Sequence, residues 1–278
     1  MQIEGWKYYN HAGVQATAPH LEVNTECVED GRIWQLDGSP LLARWTTNFD
    51  CEKETNWWYV IKDTPFDISA LKSKRRYEIT RGDRFFEVRI IDATDYKEEI
   101  YSCQVQAFSA YPKKYRPTVI RDEFIKEIDT WKDFIVYGAF DRESGTLSGY
   151  SLLKKTDERH IVFSVQKTMP SAEKNGVNFA LVHAILTSQD EFIRGGGYIC
   201  DGERSINHET NFQDFLERYF GFRKAYCTLN VRYKKKIAFI VKCLYPFRKL
   251  LKKMDGVGLI HKINAIMKME EIVRSGKQ

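Results

Sequence analysis

The chain has 278 residues, 14% aromatic residues and a formal net charge of +5. This length and aromatic content exclude a disordered chain and allow one large domain or two small ones. The six cysteines are scattered without a C-x-x-C pair, which argues against a disulfide framework and a zinc site. The sequence contains no apolar run of roughly 18 residues, so we expect no transmembrane helix. The first residues lack the pattern of a signal peptide, and we expect a cytoplasmic protein.

Residues 1–56 read as an N-terminal extension. Two short apolar segments, residues 33–36 and 41–45, flank the dipeptide Asp37-Gly38. An Asp-Gly pair between apolar segments is typical of a tight turn that joins two antiparallel strands. The sequence therefore predicts a β-hairpin in this extension.

Residues 57–132 read as the first part of a larger domain or as a reduced half-repeat. Apolar periodicity and helix-capping residues predict a strand, a helix, a strand and two further helices. These five elements cover residues 57–61, 67–82, 85–91, 95–108 and 121–131. The helix–strand alternation predicts a mixed α+β domain.

Residues 133–233 carry the clearest pattern. Three alternating apolar segments predict three strands, at residues 134–140, 147–154 and 160–167. A loop with a glycine, Gly176, leads into an apolar helix, and a short buried strand follows at residues 198–200. The last elements are a helix capped by Asn207 or Thr210 and ended by Gly221, and a strand at residues 225–233.

The glycine loop is the first chemical feature of this region. Gly176 follows a predicted strand and precedes a predicted helix. Free backbone N–H groups at the start of a helix bind phosphate, because they carry the positive end of the helix dipole. Gly176 therefore marks either a phosphate site or an ordinary loop.

The order of these elements, together with two motifs, resembles the GNAT acyltransferase superfamily. Residues 173–178, Glu-Lys-Asn-Gly-Val-Asn, align with its phosphate loop [QR]-x-x-G-x-[GA], with Glu173 and Asn178 departing from it. Residues 211–222, a helix led by Asn211 and ended by Gly-Phe, align with its next segment. The resemblance covers roughly residues 130–233. It implies an α+β fold with a central, mixed, twisted sheet flanked by helices.

The resemblance also implies an activity. Members of the superfamily move an acyl group from acyl-CoA to an amine, so we expect acetyl-CoA or another acyl-CoA as co-substrate, no metal, and direct attack by the amine. The thioester is expected at a splayed sheet edge, near residues 165–168. The expected cofactor-binding residues are Val165, Gln166, Lys167, Thr168, Lys174, Asn175, Gly176, Val177 and Asn178.

Four further residues are candidates for catalysis. Asp201 and Glu203 follow the short buried strand and are candidates for the general base or for positioning the amine. Asn211 and Tyr219 lie in the aligned helix, and Tyr219 and Tyr226 are candidates for protonating the thiolate. Helix capping by Asn211 and core packing by the tyrosines are the structural alternatives.

Two other functions remain open. The chain also resembles the FemAB transferases, which attach amino acids from charged tRNA to cell-wall precursors, and this implies an enzyme that acts at the membrane surface. A non-catalytic module that keeps the fold is the other alternative, and Glu173 and Glu217 are the residues that favour it. The acceptor is expected to be a small-molecule or lipid-linked amine.

Residues 234–278 predict basic amphipathic helices. The segment from Arg218 to Met254 contains no acidic residue. Residues 234–273 are expected either to contact an anionic membrane peripherally or to pack on the domain with a solvated basic face. Nucleic acid is not an expected partner, except for tRNA in the FemAB alternative.

Overall fold

The computed structural model describes residues 1–113, 116–206, 211–253 and 258–276. The predicted helix caps Asn207 and Thr210 lie outside the described residues. The chain divides into two compact units. The first unit is formed by Met1–Val60, Glu203–Asn211 and Lys224–Gln278, and the second by Ile61–Gly202 and Phe212–Arg223.

Strands and helices both contribute to the described part of the chain. The strands are β1 (Trp6–Tyr9), β2 (Ala12–Gln15), β3 (Leu42–Thr47), β4 (Trp58–Lys62), β5 (Phe86–Ile90), β6 (Phe134–Asp141), β7 (Leu147–Lys155), β8 (His160–Thr168), β9 (Tyr198–Glu203), β10 (Arg223–Tyr226) and β11 (Thr228–Tyr233). The helices are α1 (Glu26–Glu29), α2 (Ser73–Phe85), α3 (Lys97–Ser109), α4 (Arg121–Ile128), α5 (Pro170–Glu173), α6 (Val177–Ser188), α7 (Asp190–Arg194), α8 (Asn211–Phe220), α9 (Lys235–Leu244), α10 (Arg248–Lys252) and α11 (Gly258–Ser275).

The first unit contains a four-stranded sheet in the order β1-β2-β3-β11. β1 and β2 form an antiparallel hairpin whose turn residues Asn10 and His11 both have positive φ, the backbone that a two-residue hairpin turn requires. β2 pairs with β3 in parallel, and β3 pairs with β11 antiparallel. Buried side chains of α11, including Met269 and Ile272, pack with buried residues of this sheet to form its core.

The larger sheet has seven strands in the order β10-β4-β9-β8-β7-β6-β5. The strands from β5 to β8 form an antiparallel meander, and β8 pairs with β9 in parallel. The alternating apolar residues that predicted these strands occupy the core, where Val136, Leu152 and Ile161 are almost fully buried. The strands and the helices between them follow the predicted order from residue 134 to residue 222.

The predicted hairpin around Asp37-Gly38 is wrong. Arg32–Gln35 is a single 3-10 turn, and only the second segment becomes a strand, β3. Ile33 and Leu36 are three residues apart and both buried in one cluster with Trp6. That spacing places both side chains on one side of a 3-10 turn, whereas a strand would alternate them. The hairpin of this region is β1–β2 instead.

The predicted strand 225–233 is two strands in different sheets, β10 and β11. The break falls at Cys227, whose backbone N–H donates to the carbonyl of Trp57 at 3.0 Å. The hydroxyl of Thr55 donates to the carbonyl of Cys227 at 2.8 Å. These two bonds take the backbone groups of Cys227 out of both ladders, so the chain changes sheet at this residue.

Two glycines bring α2 and α6 close together inside the second unit. A Cβ atom built on Gly82, in the last turn of α2, would lie 2.5 Å from the carbonyl oxygen of Gly176 and 2.9 Å from the backbone nitrogen of Ala180. Gly176 itself has φ +86°, a left-handed conformation that glycine adopts without strain. The start of α6 is therefore positioned by direct backbone contact with α2.

We expect Gly82→Ala to destabilise the protein by about 1–3 kcal/mol, because the added methyl group meets backbone atoms that cannot turn away. Helix propensity alone predicts the opposite sign, a gain of about 1 kcal/mol. Urea denaturation measures the difference. Lys74→Ala, at an exposed position of the same helix, is the control and should change stability by less than about 0.5 kcal/mol. A stabilised Gly82→Ala variant would contradict the close contact.

Candidate active site

β8 and β9 lie side by side at their first residues and then separate. Their parallel pairing covers three residue pairs, His160 with Tyr198, Ile161 with Ile199, and Val162 with Cys200. β8 continues to Thr168 and keeps its pairing with β7 on the other edge. The edge of β8 that follows Val162 is therefore open toward β9, at the residues where the sequence predicted a splayed edge.

A β-bulge in β8 lies where the separation begins. The register between β7 and β8 pairs Leu153 with Phe163 and Leu152 with Val165, so Ser164 is the extra residue. Ser164 is exposed. A bulge increases the local twist and bends its strand, which turns the end of β8 away from its straight course.

The N-terminus of α6 follows the open edge of β8 closely along the sequence. Gly176 is its N-cap residue, and no side chain caps the helix. The first N–H groups of a helix have no partner within it, so those of residues 177–179 are available to an anion. Lys174, just before the cap, is exposed and can contribute positive charge, whereas the neighbouring Glu173, also exposed, opposes it.

Asn178 ties α6 to β8. Its Oδ1 accepts a hydrogen bond from Gln166 Nε2 at 2.9 Å, and its Nδ2 donates to Thr168 Oγ1 at 3.4 Å. Three predicted cofactor-binding residues are thus brought together. The Oε1 atom of Gln166 is buried and has no hydrogen-bond partner among the described residues. A buried acceptor of this kind is normally satisfied, so a ligand N–H group is a suitable partner for it.

Val165 and Lys167 lie on the other face of β8, because successive side chains of a strand point to opposite faces. They line a cavity of about 400 Å³ that is formed inside the second unit. Lys167 Nζ lies 3.3 Å from Tyr111 Oη and 4.9 Å from the centre of the Phe108 ring. The other lining residues come from α3, α4, β7 and the segments around α4: Gln104, Thr118, Val119, Ile120, Glu123, Phe124, Glu127, Trp131 and Tyr150.

The cavity combines aromatic and acidic groups. Trp131 and Tyr150 stack with ring centres 6.0 Å apart, and Tyr150 Oη donates to Gln104 Oε1 at 2.7 Å. Burial raises the pKa of Tyr150, and the charge of Glu127 adds to the rise. Glu123 and Glu127, four residues apart on α4, are both exposed at this cavity. The lining thus carries two carboxylates and the ammonium of Lys167 beside these rings, and the two glutamates can attract a cation with an apolar part.

Asp201 is the candidate base with the most perturbed environment. It follows Cys200, the last residue of β9 that pairs with β8. Burial raises the pKa of its carboxyl from 3.8 to about 7, and a hydrogen bond with Gln213 of α8 opposes the rise. A carboxyl with a pKa near neutrality can accept a proton at physiological pH and release it again.

The other three candidate catalytic residues have different surroundings. Glu203 pairs with Arg44 within the first unit; burial raises the pKa of Glu203 and Arg44 opposes the rise. Asn211 is exposed at the start of α8. Tyr219 packs edge-on against Phe179 of α6, with ring centres 4.9 Å apart. The catalytic roles assigned to these residues stay predictions.

Sequence reasoning missed Gln213, Gly82 and the cavity on the α3 face of β8. Gln213 contacts a residue more than ten positions away along the chain, and Gly82 contacts one more than ninety positions away. No local pattern in the sequence shows such contacts. The cavity had one sequence signal, two glutamates four residues apart on the amphipathic helix α4. In the described part of the chain, no group of three or more histidine, cysteine, aspartate or glutamate residues has the arrangement of a metal site.

The structure is similar to several solved structures. L-PGS from Bacillus licheniformis matches at a TM-score of 0.54 with 11% identity, over 86% of this chain and 83% of that chain. The C-terminal domain of a putative lysylphosphatidylglycerol synthetase from Agrobacterium fabrum matches at 0.53 with 11% identity, over 85% and 82%. A conserved protein of unknown function from Bacteroides thetaiotaomicron matches at 0.52 with 12% identity, over 79% and 78%.

These similarities concern the fold. No family model matches the sequence. No curated protein matches it either. The chain has an α+β fold, with a twisted mixed sheet flanked by helices, as the sequence predicted, and it shares this fold with these three structures. Among the residues that the structure describes, no helix is both long and apolar enough to cross a membrane.

The Arg44–Glu203 pair generates a stability prediction. The two side chains are only 16% and 29% exposed, so removal of the guanidinium leaves a carboxylate with little access to water. We expect Arg44→Met to destabilise the protein by about 2–3 kcal/mol. The double variant Arg44→Met/Glu203→Gln should recover a large part of that loss in urea denaturation. Equal stability of the single variant and the natural protein would contradict a buried, interdependent pair.

The raised pKa of Asp201 predicts a pH dependence of stability. A carboxyl whose pKa is higher in the folded than in the unfolded state favours folding most below its unfolded pKa, and this contribution is lost as pH rises to about 7. Asp201→Asn removes the titration. Its stability relative to the natural protein should therefore rise by roughly 1–3 kcal/mol between pH 5 and pH 8. Urea denaturation at both pH values measures it, with the exposed Asp122→Asn as the control. A difference that does not change with pH would contradict the buried carboxyl.

Proposed function

We propose that this chain transfers an acyl group from a thioester donor, acyl-CoA, to an amine. The observation that carries the proposal is the separation of β8 from β9 after Val162 and Cys200. It leaves backbone N–H and C=O groups of the partly exposed end of β8 without a strand partner on that edge, and such groups take partners from a ligand or from water. The extended amide-containing arm of acyl-CoA is a chain that can pair with such an edge.

Three features of the second unit support the donor. The uncapped N-terminus of α6 offers its first N–H groups to the pyrophosphate. The exposed Lys174 adds positive charge at the same place. The unpartnered Oε1 of Gln166 can accept a hydrogen bond from an amide N–H of the donor. Together they support binding of the phosphates and of the donor's arm on one side of β8.

The cavity on the other face of β8 supports the acceptor. Its volume of about 400 Å³ suits a small molecule or the head of a larger one. Glu123 and Glu127 attract a positively charged amine, and the rings of Phe108 and Trp131 suit its apolar part. We therefore propose that the amine enters from the side of α3 and α4.

The reaction needs a proton acceptor and a polarised carbonyl. In the proposed mechanism Asp201 takes a proton from the amine, directly or through one water molecule. The amine nitrogen forms a bond to the thioester carbon, free N–H groups of the β8 edge stabilise the developing oxyanion, and the carbon–sulfur bond breaks. The departing thiolate takes a proton from Tyr219 or from solvent, which leaves an amide and a free thiol.

An aminoacyl ester of tRNA is the second candidate donor. The similarity to L-PGS and to a putative lysylphosphatidylglycerol synthetase domain over more than four fifths of this chain favours it. In this candidate an ester carbonyl occupies the same gap and Asp201 keeps its role.

The test is an assay of the purified protein with a panel of acyl-CoA thioesters and mixed amines, which follows the release of free thiol. We expect release that depends on an amine, and a rise in melting temperature with the active thioester through preferential binding to the folded state. Asp201→Asn should lower kcat by about 100-fold or more with KM for the donor little changed. Asp122→Asn should keep full activity.

The outcomes separate the candidates. Transfer from charged tRNA, without any response to acyl-CoA, would reject the CoA donor and establish the second candidate. A protein that binds neither donor would reject both. Full activity of Asp201→Asn would reject this residue as the base, even if the transfer itself is confirmed.

A further inference from the structure

The segment from α9 to α10 carries an apolar stripe on its exposed side. α9, the 3-10 turn Tyr245–Phe247 and α10 follow one another without a break. Four large apolar side chains in this segment are strongly exposed: Phe239 at 70%, Ile240 at 49%, Phe247 at 58% and Leu250 at 58%. Exposed apolar side chains are common singly, but a group of four on one short segment marks an interaction surface.

The spacing of these residues places them on one side. Phe239, Cys243, Phe247 and Leu250 follow each other at intervals of four, four and three residues, and Ile240 lies next to Phe239. Within α9 the interval from Phe239 to Cys243 is the repeat of one helix face, and the exposure of Phe247 and Leu250 continues the outer side beyond the 3-10 turn. Cys243 is exposed as well. We call the five residues Phe239, Ile240, Cys243, Phe247 and Leu250 the outer stripe.

The core of the first unit uses a different side of the same segment. Val241 is 4% exposed, and Leu244 and Leu251 are partly buried. Arg248 pairs with Glu271 of α11 at 3.4 Å, which also fixes the inner side. The apolar residues of the outer stripe therefore do not belong to the core that holds the segment in place.

A row of lysines runs along the outer stripe. Lys235 and Lys242, seven residues apart, lie on one side of α9, Lys249 follows in α10, and all three are exposed. Lys236, Lys252 and Lys253 are exposed too. The segment from residue 235 to residue 253 has seven basic residues and no acidic one. Its charge is complementary to a surface of negative charge.

We propose that the outer stripe and its lysine row dock this protein on a bilayer that contains anionic lipid. Apolar side chains enter the boundary between head groups and acyl chains, while the lysines stay at the level of the lipid phosphates. Aromatic and aliphatic residues between lysines suit a bilayer better than a nucleic acid, because phosphate recognition alone gives no role to Phe239, Ile240 and Leu250. This docking does not depend on the proposed transferase activity.

The first experiment measures co-sedimentation of the full chain with vesicles of phosphatidylcholine alone and of phosphatidylcholine with about 30% phosphatidylglycerol. We expect binding to the anionic vesicles and little to the neutral ones. The variant Phe239→Ser/Phe247→Ser should bind at least roughly tenfold more weakly, since it removes two inserted rings. Its matched control is Ile90→Ser/Ile120→Ser, at two exposed positions of the second unit, which should bind as the natural protein does.

A charge variant tests the lysine row. The affinity for anionic vesicles should fall roughly 100-fold in the variant Lys235→Gln/Lys242→Gln/Lys249→Gln. Each lysine then contributes about one power of ten or less to that affinity. Lys74→Gln/Lys126→Gln/Lys132→Gln removes the same charge from exposed positions elsewhere and should lose much less. Equal losses of vesicle binding in the two triple variants would reject a specific role of the lysine row, because net charge alone would then explain both losses.

Cys243 supplies a direct probe of insertion. The other cysteines are buried except Cys51, which is partly exposed, so a thiol-reactive, polarity-sensitive fluorophore labels Cys243 in the Cys51→Ser variant. Anionic vesicles should shift its emission to the blue. The same fluorophore on Ser109→Cys in a Cys51→Ser/Cys243→Ser background should not shift.

Three results would overturn the proposal. Natural protein that stays in solution with both vesicle types would exclude docking on a bilayer. Self-association that Phe239→Ser/Phe247→Ser abolishes, without vesicle binding, would assign the outer stripe to a contact with a second copy. Binding to tRNA that needs the lysine row, again without vesicle binding, would assign the row to a nucleic acid.

Discussion

The separation of β8 from β9 is the constraint on which the second unit depends. A sheet loses backbone hydrogen bonds when two of its strands part, and buried backbone groups without partners are costly. In this sheet the strands part after three pairs, and a bulge at Ser164 sets the bend. The long antiparallel ladders of β6, β7 and β8 hold the rest of the sheet, so the opening is confined to one place. An opening that a stable sheet maintains at this cost is a natural place for a ligand that supplies the missing hydrogen bonds.

α6 completes this opening through two contacts of different kinds. The backbone contact between Gly82 and Gly176 sets where the helix begins, and Asn178 links its first turn to Gln166 and Thr168 of β8. Asn178 is one of the two positions at which the chain departs from the phosphate-loop motif. A small residue there could not reach β8, so this departure gives the loop a fixed position relative to the strand while its first N–H groups stay uncapped.

The sequence was sufficient for the strands β6 to β9 and for α6 and α8 because their signals are local, whereas α5 and the division between α6 and α7 were not predicted. Alternating apolar residues in strands and an apolar helix after a glycine need no knowledge of distant contacts. The position of β4 was beyond such reasoning: residues 57–61 were predicted as a strand, but its place between β9 and β10 depends on pairing with partners far along the chain. The predictions for Arg32–Gln35 and for the strand around Cys227 were wrong for the same reason. A buried cluster decides the first structure, and single backbone hydrogen bonds decide the second.

The candidate site shows the same division. Residues 165–168 and 174–178 were predicted together as cofactor-binding residues, but only the fold shows that they divide into two groups. Gln166 and Thr168 contact Asn178 on one face of β8, whereas Val165 and Lys167 line the cavity on the other. One strand thus divides the face that contacts the start of α6 from the face that lines the cavity.

That division has a chemical consequence. Under the proposed function, an amine in the cavity and a donor at the start of α6 would approach opposite faces of β8, so they would meet where the sheet is open. Asp201 follows the last paired residue of β9, at the start of that opening, and its carboxyl has a pKa of about 7. Burial produces this pKa by disfavouring the charged form, and in the proposed mechanism this carboxyl takes the proton of the amine.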